Sequence, residues 1–230
     1  MITRDAITRA AARIANHLRR TPVVSVTVEG VELPVTLKLE LLQHAGSFKS
    51  RGAFNTLLQA SVGAGGVATA SGGNHGAAVA YASRQLGHRA KIFVPEISSP
   101  AKVARIASYG AEVVQKGANY SEALALCEAW IATSGATGVH AYDAEATLEG
   151  QGTLGRELEA QAPGIDTLLV AVAPRLQRRQ FKQTRRQLEC QLRRRLQVMR
   201  ARGSASEVGA SRCRVQHKTH DLADTALQSG

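Results

Sequence analysis

Hydrophobic residues near the start of the chain recur at the spacing of one helix face. They predict an amphipathic helix over residues 3–19 that stops before Pro22. Two runs rich in β-branched residues follow at residues 23–28 and 35–39, with the turn signal Glu29-Gly30 between them. This order predicts a β-hairpin directly after the first helix.

Beyond the hairpin, short apolar runs alternate with helical patterns. This alternation is typical of βαβ units, in which helices cover a parallel sheet, so the fold class is α/β. The predicted strands cover residues 67–70, 91–95, 112–115, 139–142 and 167–172, and the predicted helices cover residues 53–58, 74–86, 100–109, 120–133 and 148–161.

The pattern changes abruptly after Val172. Residues 1–172 contain 15 Lys and Arg against 14 Asp and Glu, whereas residues 173–230 contain 14 against 4, so nearly all of the net charge of +11 lies in this last part. A few leucines there keep helical spacing, but residues 200–230 show no period, which is typical of disorder. We therefore expect an α/β region over residues 1–172 and a basic tail (residues 173–230) that is disordered or irregular.

A pI of about 10.2 for the whole chain invites a nucleic-acid or anionic-membrane interpretation. The tail, however, does not interleave its basic residues with aromatic ones and matches no nucleic-acid motif, so a nucleic-acid partner is not expected. No apolar stretch approaches the ~20 residues that cross a bilayer, and no signal-peptide core is seen, so we expect a cytoplasmic protein without a membrane partner. Cys127, Cys190 and Cys213 lack metal-ligand spacing, so no metal site is expected.

Lys49 is the first candidate for chemistry. It lies in a turn of small residues just before the helical run 53–58 and follows Phe48. An aromatic neighbour that partly dehydrates a lysine lowers the pKa of its amine, which can then form a Schiff base with a carbonyl. Taken alone, a motif of only three residues, Ser-Phe-Lys, favours the alternative of a surface lysine near a helix start.

A second motif, Ser71–Gly76, lies where a predicted strand ends and a predicted helix begins near Asn74, a common ligand-binding position in open α/β sheets. Backbone amides at a helix start, left uncovered at Gly72 and Gly73, can hold a carboxylate, and Asn74 can donate to a phenolate oxygen. The alternative for an isolated loop is a simple glycine turn with Asn74 as the helix cap.

Taken together, these motifs resemble the fold-type II pyridoxal-phosphate enzymes (tryptophan synthase beta-like), and within them the threonine/serine dehydratase branch. The resemblance covers about residues 15–172. The matching segments are TP at 21–22, LKLE at 37–40, GSFKSRGA at 46–53, SGGNHG at 71–76, FVP at 93–95, Lys102, YGAEV at 109–113 and GQGT at 150–153.

The resemblance implies a three-layer architecture, with a small domain over about residues 45–145 and flanking residues in a larger domain. It also implies a pyridoxal 5'-phosphate cofactor, a small amino-acid substrate and a homo-oligomer. The reaction implied is β-elimination of L-threonine or L-serine to a 2-oxo acid and ammonia. For the cofactor, the resemblance implies that Lys49 binds it covalently and moves the α-proton, that Phe48 packs near it, and that Asn74 bonds its phenolic oxygen. For the substrate, the resemblance implies that the carboxylate is held by Ser71 and by the amides of Gly72, Gly73, Asn74 and His75.

Gly72 bears on the choice between two related reactions. Similar serine racemases carry a hydroxyl residue there, which protonates the face opposite the lysine. Glycine has no side chain to donate, and elimination can use Lys49 alone, so Gly72 favours a dehydratase.

The chain departs from the family pattern after Val172. Family members continue into a run of glycines whose amides cradle the cofactor phosphate. Here Ala173-Pro174-Arg175 follows, no Gly-Gly-Gly-Gly-Leu occurs in the 230 residues, and Pro174 lacks an amide donor. Our hypothesis is a reading frame or gene disrupted at this point, which truncates the large domain and impairs activity. The alternative is a non-catalytic remnant whose basic tail binds nucleic acid or anionic surfaces.

Overall fold

The computed structural model describes residues 2–29 and 34–170. The chain divides into two compact units, residues 1–163 and 164–230. Residues 164–170 of the second unit carry neither helix nor strand. The predicted disordered or irregular tail lies outside the described residues. The predicted domain division, with a small domain over about residues 45–145, stays a prediction.

The first unit contains helices and strands in the predicted order. The helices are α1 (Arg4–Ile14), α2 (Lys49–Leu57), α3 (Asn74–Gln85), α4 (Pro100–Ala107), α5 (Tyr120–Ser134) and α6 (Glu145–Gln161). The strands are β1 (Val23–Val26), β2 (Val35–Lys38), β3 (Val67–Ala70), β4 (Ala90–Val94), β5 (Glu112–Gln115) and β6 (Thr137–Gly138). Short 3-10 turns cover Ala15–His17, Glu40–Leu42 and His44–Gly46.

The strands form two sheets. Strands β1 and β2 make the predicted antiparallel hairpin, with Val23 opposite Lys38. The other four form a parallel sheet in the order β5-β4-β3-β6. The chain moves from β3 outward through β4 to β5 and then returns to the other side of β3, so the direction of winding reverses between β3 and β6. Open α/β sheets bind ligands at the carboxyl ends of strands at such a reversal.

Helices cover the parallel sheet on both faces, which confirms the α/β fold. On one face, side chains of β3 and β4 pack against α2, α3 and α4, and the alanine-rich α3 lies fully buried along much of its length. On the other face, Ala68, Ala70 and Phe93 pack against Cys127 of α5 and Ala136. The alternation of faces along β3 is the two-residue period of a strand buried on both sides.

Two predicted boundaries differ from the structure. Helix α2 begins at Lys49 rather than at residue 53. The sequence suggests a turn at Gly52, but in the structure Gly52 lies inside the helix, where the absence of a side chain permits close packing against Thr147. The strand predicted over residues 139–142 is instead the two-residue β6, which ends at Gly138. The carbonyl oxygen of Val139 accepts a hydrogen bond from the Thr69 hydroxyl. This side chain takes the place of the backbone amide that would continue the hydrogen-bond ladder between β3 and β6.

The predicted strand over residues 167–172 is not found in its described part. Residues 167–170 have no strand assignment, and residues 171 and 172 lie outside the described residues. An apolar run indicates only that a segment is suited to a buried sheet. A strand also needs a neighbour that completes its ladder of hydrogen bonds, and the run itself carries no information about that neighbour.

Helices α2 and α6 cross at very short range because each has a glycine at the contact. A Cβ atom on Gly150 of α6 would collide with the carbonyl oxygen of Arg51 in α2. A Cβ atom on Gly52 of α2 would lie 2.9 Å from the carbonyl oxygen of Thr147 in α6. Because both obstacles are backbone atoms, a side chain at either position would force the helices apart.

We expect Gly150→Ala to destabilise the protein, because the added methyl group has no space between the two backbones. Overpacking of this kind lowers the free energy of unfolding by roughly 1–3 kcal/mol. The measurement is chemical denaturation followed by circular dichroism.

Gly155→Ala is the matched control, because it lies on the same helix and a Cβ there meets nothing within 4 Å. Alanine should be neutral or stabilise the helix by up to ~1 kcal/mol at that position. Equal effects of the two substitutions would show that the close crossing does not limit this packing.

Candidate active site

Lys49 is the first residue of α2 and is buried, with 9% of its surface exposed. Its Nζ atom donates a hydrogen bond of 2.9 Å to the carbonyl oxygen of Ala141, in the loop between β6 and α6. Gln151 Nε2 donates to the same oxygen at 3.4 Å. The amine is therefore held against the segment that leads into the helix on which α2 packs.

Two aromatic rings flank the Lys49 amine. Its Nζ lies 4.2 Å from the centre of the Tyr142 ring and 5.1 Å from that of Phe48. Burial lowers the pKa of Lys49 from 10.5 to about 8, because removal from water disfavours the charged form. The lowering expected from the sequence is confirmed, and a useful fraction of this amine is neutral under mildly alkaline conditions.

The glycine motif leads directly into α3. The helix begins at Asn74, and its N-cap is Gly73, which makes no side-chain cap hydrogen bond. Asn74 is exposed and is not the helix cap of the alternative interpretation. Ser71 Oγ accepts from the Gly73 amide at 3.2 Å, and a Cβ atom on Gly72 would collide with the Ser98 hydroxyl. A side chain at residue 72 would therefore require the Ser98 hydroxyl to rotate away, and the Ser98 Cβ atom would still lie 3.0 Å from the added atom.

The buried side chain of His75 connects this loop to β3 and to the residue that follows β6. It is 3% exposed, and its Nε2 lies 3.1 Å from both Thr69 Oγ1 and the Val139 carbonyl oxygen. The carbonyl requires a hydrogen on Nε2, so Nδ1 is the bare nitrogen, and Nδ1 has no hydrogen-bond partner within the described part of the chain. Burial lowers the pKa of His75 to about 4, with a further contribution from the charge of Lys49, so its imidazole is neutral at physiological pH.

The topology explains why these parts meet. Strands β3 and β6 are parallel neighbours, so the glycine motif after β3 and the loop after β6 leave the sheet at the same edge. Lys49 contacts that second loop, and its charge influences His75. The structure thus places Lys49 near His75, the fifth residue of the glycine motif. That Lys49 and Asn74 face one another across a cleft stays a prediction.

A buried ion network supports α2 directly behind Lys49. Arg51 donates to both oxygens of Glu40 at 2.8 and 2.7 Å and to Glu157 at 3.0 Å. Lys38 donates to Glu157 at 2.6 Å and to the Thr21 carbonyl oxygen at 2.6 Å. Two cations and two carboxylates therefore connect β2, α2 and α6 in a largely buried place.

The pKa values of two members show how the network is balanced. Burial opposes the charge of Arg51, but the hydrogen bonds to Glu40 and Glu157 outweigh it and raise the pKa of Arg51. Burial likewise opposes the charge of Glu157, yet the bonds from Lys38 and Arg51 lower its pKa. The partners thus offset the cost that burial places on each charge.

Sequence reasoning assigns no role to several of these residues. Arg51, Lys38 and Glu40 appear there only as part of the matching segments. The alternation of charged residues with leucines at 37–40 could have indicated that these charges form buried ion pairs. The apolar pattern predicts Tyr142 as the end of a strand. Its place beside Lys49 depends on a loop conformation that periodicity does not report.

Within residues 2–29 and 34–170, no group of three or more His, Cys, Asp or Glu side chains could hold a metal ion. None of the described helices is long and apolar enough to cross a membrane. A surface hollow of about 580 Å³ near Glu96, Lys116 and Glu122 shares no residue with the candidate site.

Known proteins resemble this chain in sequence over the same region. An L-threonine ammonia-lyase of Geobacter sulfurreducens is 37% identical over 176 residues, which are 75% of this chain and 44% of that protein. A catabolic L-threonine dehydratase of Staphylococcus aureus is 37% identical over 171 residues, 72% of this chain and 49% of that protein. The chain thus spans about half the length of the curated relatives that it matches.

Solved structures agree in fold. Maize serine racemase superposes with a TM-score of 0.68 at 36% identity, covering 71% of this chain and 51% of that one. A threonine deaminase of T.th. superposes with a TM-score of 0.65 at 35% identity, covering 70% and 52%. Residues 14–173 also match the family described as pyridoxal-phosphate dependent enzyme. With a matched region that includes Lys49 and the glycine motif, the chain belongs to the family of pyridoxal-phosphate dependent enzymes.

Proposed function

We propose that this chain derives from an enzyme that eliminates water from L-threonine or L-serine to give a 2-oxo acid and ammonia, with pyridoxal 5'-phosphate as cofactor. The observation that carries the proposal is the buried Lys49 amine, with its lowered pKa, beside the glycine motif. Relatives named threonine ammonia-lyase and threonine dehydratase support this choice of reaction.

The residues at this edge of the sheet fit the cofactor. An aldehyde needs an amine that loses its proton easily, and the burial of Lys49 provides one. Two buried polar atoms near the motifs, Ser47 Oγ and His75 Nδ1, have no hydrogen-bond partner within the described residues, which is unusual unless a polar ligand supplies one. Gly73 leaves the backbone open for close approach by an anion, since a Cβ atom there would meet only Ser71 Oγ at 4.0 Å.

When bound, the cofactor supplies an electron sink that stabilises negative charge at the substrate α-carbon. Lys49 would hold its aldehyde carbon, with Phe48 packed beside it and Asn74 donating to its phenolic oxygen. Ser71 and the amides of Gly72, Gly73, Asn74 and His75 would bind and orient the substrate carboxylate. The Nζ atom of Lys49 would then take the α-proton and pass it to the departing β-hydroxyl, which leaves as water.

The sequence directly after Val172 bears on activity. Ala173-Pro174-Arg175 stands where the family pattern has a run of glycines, and Pro174 has no amide hydrogen to donate. We therefore propose that elimination is impaired by the loss of this phosphate cradle. The non-catalytic alternative, with a basic tail that binds nucleic acid or anionic surfaces, concerns residues outside the described part and stays a hypothesis.

A second candidate reaction is racemisation, which one observation favours. The Ser98 hydroxyl lies where a side chain on residue 72 would lie, so a hydroxyl is present near the glycine motif although residue 72 has none. Serine racemases are among the similar structures. Assay of D-serine alongside the 2-oxo acid, in the parent and in Ser98→Ala, separates the two reactions, since only racemisation needs a second proton donor.

We expect pyridoxal phosphate to bind covalently at Lys49. Purified protein mixed with the cofactor should develop a visible absorbance band, and Lys49→Ala should lose it completely, because no other lysine lies in a matching motif. The band should grow faster as the pH rises towards about 8, since deprotonation of a group with that pKa frees the attacking electron pair.

Lys91→Ala is the control, because Lys91 is more exposed and pairs with Glu112 at 2.8 Å. It should leave the band unchanged. A band that persists in Lys49→Ala and disappears in Lys91→Ala would place the bound aldehyde elsewhere.

We expect the 230-residue chain to release little 2-oxobutanoate from threonine, because the cofactor phosphate lacks its cradle. The comparison protein joins residues 1–172 to the corresponding carboxyl-terminal part of the Geobacter sulfurreducens relative. Several amide bonds to a phosphate, each worth roughly 1.5–3 kcal/mol, should raise cofactor affinity by orders of magnitude.

The same chimera with Lys49→Ala controls for turnover by other groups. Equal turnover by the natural chain and the chimera would overturn the proposal of impairment. It would also assign a phosphate site to the residues after Val172.

A further inference from the structure

Tyr142 has no role in the function proposed above, yet its ring lies closer to the Lys49 amine than that of Phe48. Lys49 Nζ lies 4.2 Å from the centre of the Tyr142 ring, well within the range in which a cation is attracted to an aromatic face. The adjoining residue, Ala141, accepts the hydrogen bond from the same Nζ atom. Two consecutive residues of one loop therefore hold one amine.

We propose that Tyr142 is a positioning residue for Lys49, whose ring face holds the ammonium group against the Ala141 carbonyl and so sets the pH at which the amine becomes free to react. This inference rests on the proposed function in one respect, which is that Lys49 is the reactive amine.

Opposing effects act on the amine. Burial favours its neutral form and is the cause of its lowered pKa. The negative face of the ring and the carbonyl oxygen both favour the ammonium form. Without the ring, burial would act with less opposition, and the amine would lose its proton at a lower pH.

Other titratable groups near the amine do not disturb this comparison. His75, from α3, is neutral above about pH 4 and therefore does not change charge in the range where Lys49 titrates. His140 and Asp143 lie on either side of Ala141-Tyr142 in the same loop. Since neither is altered in the variants below, their contributions cancel in the comparison.

Tyr120, the first residue of α5, is the titratable group that acts on Tyr142 from the helix on the other side of the sheet. Burial raises the pKa of Tyr120, with a further contribution from Tyr142, so its phenol stays neutral where Lys49 titrates. The Tyr120 ring therefore adds no charge to the comparison.

Phe48 is a weaker candidate for the same role. Its ring centre is 5.1 Å from Nζ, and the residue is 36% exposed, so water competes for the cation. Lys91 provides a reference pair elsewhere, because its Nζ lies 3.7 Å from the Trp130 ring while its side chain is partly exposed and paired with Glu112. One labelling experiment reads both lysines.

The experiment measures the pH dependence of acetylation of Lys49 by acetic anhydride, a small neutral reagent, with peptide mass spectrometry of the full chain. The variants are Tyr142→Phe, which keeps the ring, and Tyr142→Leu, which removes it at similar volume. We expect the phenylalanine variant to keep the parent midpoint and the leucine variant to lower it by about 0.5–1 pH unit. The midpoint of Lys91 should be the same in all three proteins.

A midpoint in Tyr142→Leu that is unchanged or higher overturns the inference, as does an equal shift in both variants. If the leucine variant does not fold, as judged by circular dichroism, a ring-fluorinated phenylalanine at position 142 is the substitute. It keeps the shape and weakens the negative face, so the same downward shift is expected and its absence is decisive. Failure of the proposed function would give a different result. No cofactor band would form in the parent protein, although the Lys49 midpoint would still be lower in Tyr142→Leu than in the parent.

Discussion

The short crossing of α2 and α6 is the constraint on which the site depends. Gly52 and Gly150 let the two backbones approach, and this fixes the axis of the helix that begins with Lys49. The loop that contacts Lys49, residues 139–144, runs directly into α6. One packing contact therefore places both the amine and the carbonyl and ring that hold it, and a shift of either helix would change all of these distances together.

The ion network makes the crossing specific. Arg51 projects from α2 and Glu157 from α6, and Glu40 and Lys38 complete the charge balance from β2 and the turn after it. Replacing one member of such a buried group leaves an unpaired charge, which costs roughly 3–5 kcal/mol. Apolar packing alone would tolerate a small slide of one helix along the other. The geometry of Arg51 with two carboxylates tolerates it much less, because each bond of the guanidinium has a fixed direction.

Much of this arrangement could be predicted from the sequence, because it depends on local pattern. The order of helices and strands, the parallel sheet and the position of the glycine motif at the start of α3 all follow from periodicity and turn residues. The lowered pKa of Lys49 also follows in its direction, although the sequence points to Phe48 as its cause, whereas in the structure the cause is burial of the amine. These features need only neighbours along the chain or the general rules of α/β folds.

The parts that could not be predicted depend on pairing between distant segments. The sequence does not show that β6 stops at Gly138, because Thr69 and His75 take up the next carbonyl only once β3 and β6 lie side by side. Gly52 resembles a helix breaker in the sequence, and only its contact with α6 explains why it lies inside a helix. The run at residues 167–170 has the composition of a strand but no ladder, since composition specifies a preference and not a partner.

The neutral state of His75 has a consequence for how an anion would reach this edge of the sheet. With its imidazole uncharged, the loop itself offers the dipoles of backbone amides, and the nearby net charge is the ammonium of Lys49, which is mostly protonated below about pH 8. Dipoles act over a few ångströms, whereas net charges attract ions from about a Debye length, roughly 8–10 Å at physiological salt. The attraction of a carboxylate to this edge of the sheet would therefore depend on Lys49, and its rate of association would become less sensitive to ionic strength as the pH rises above about 8.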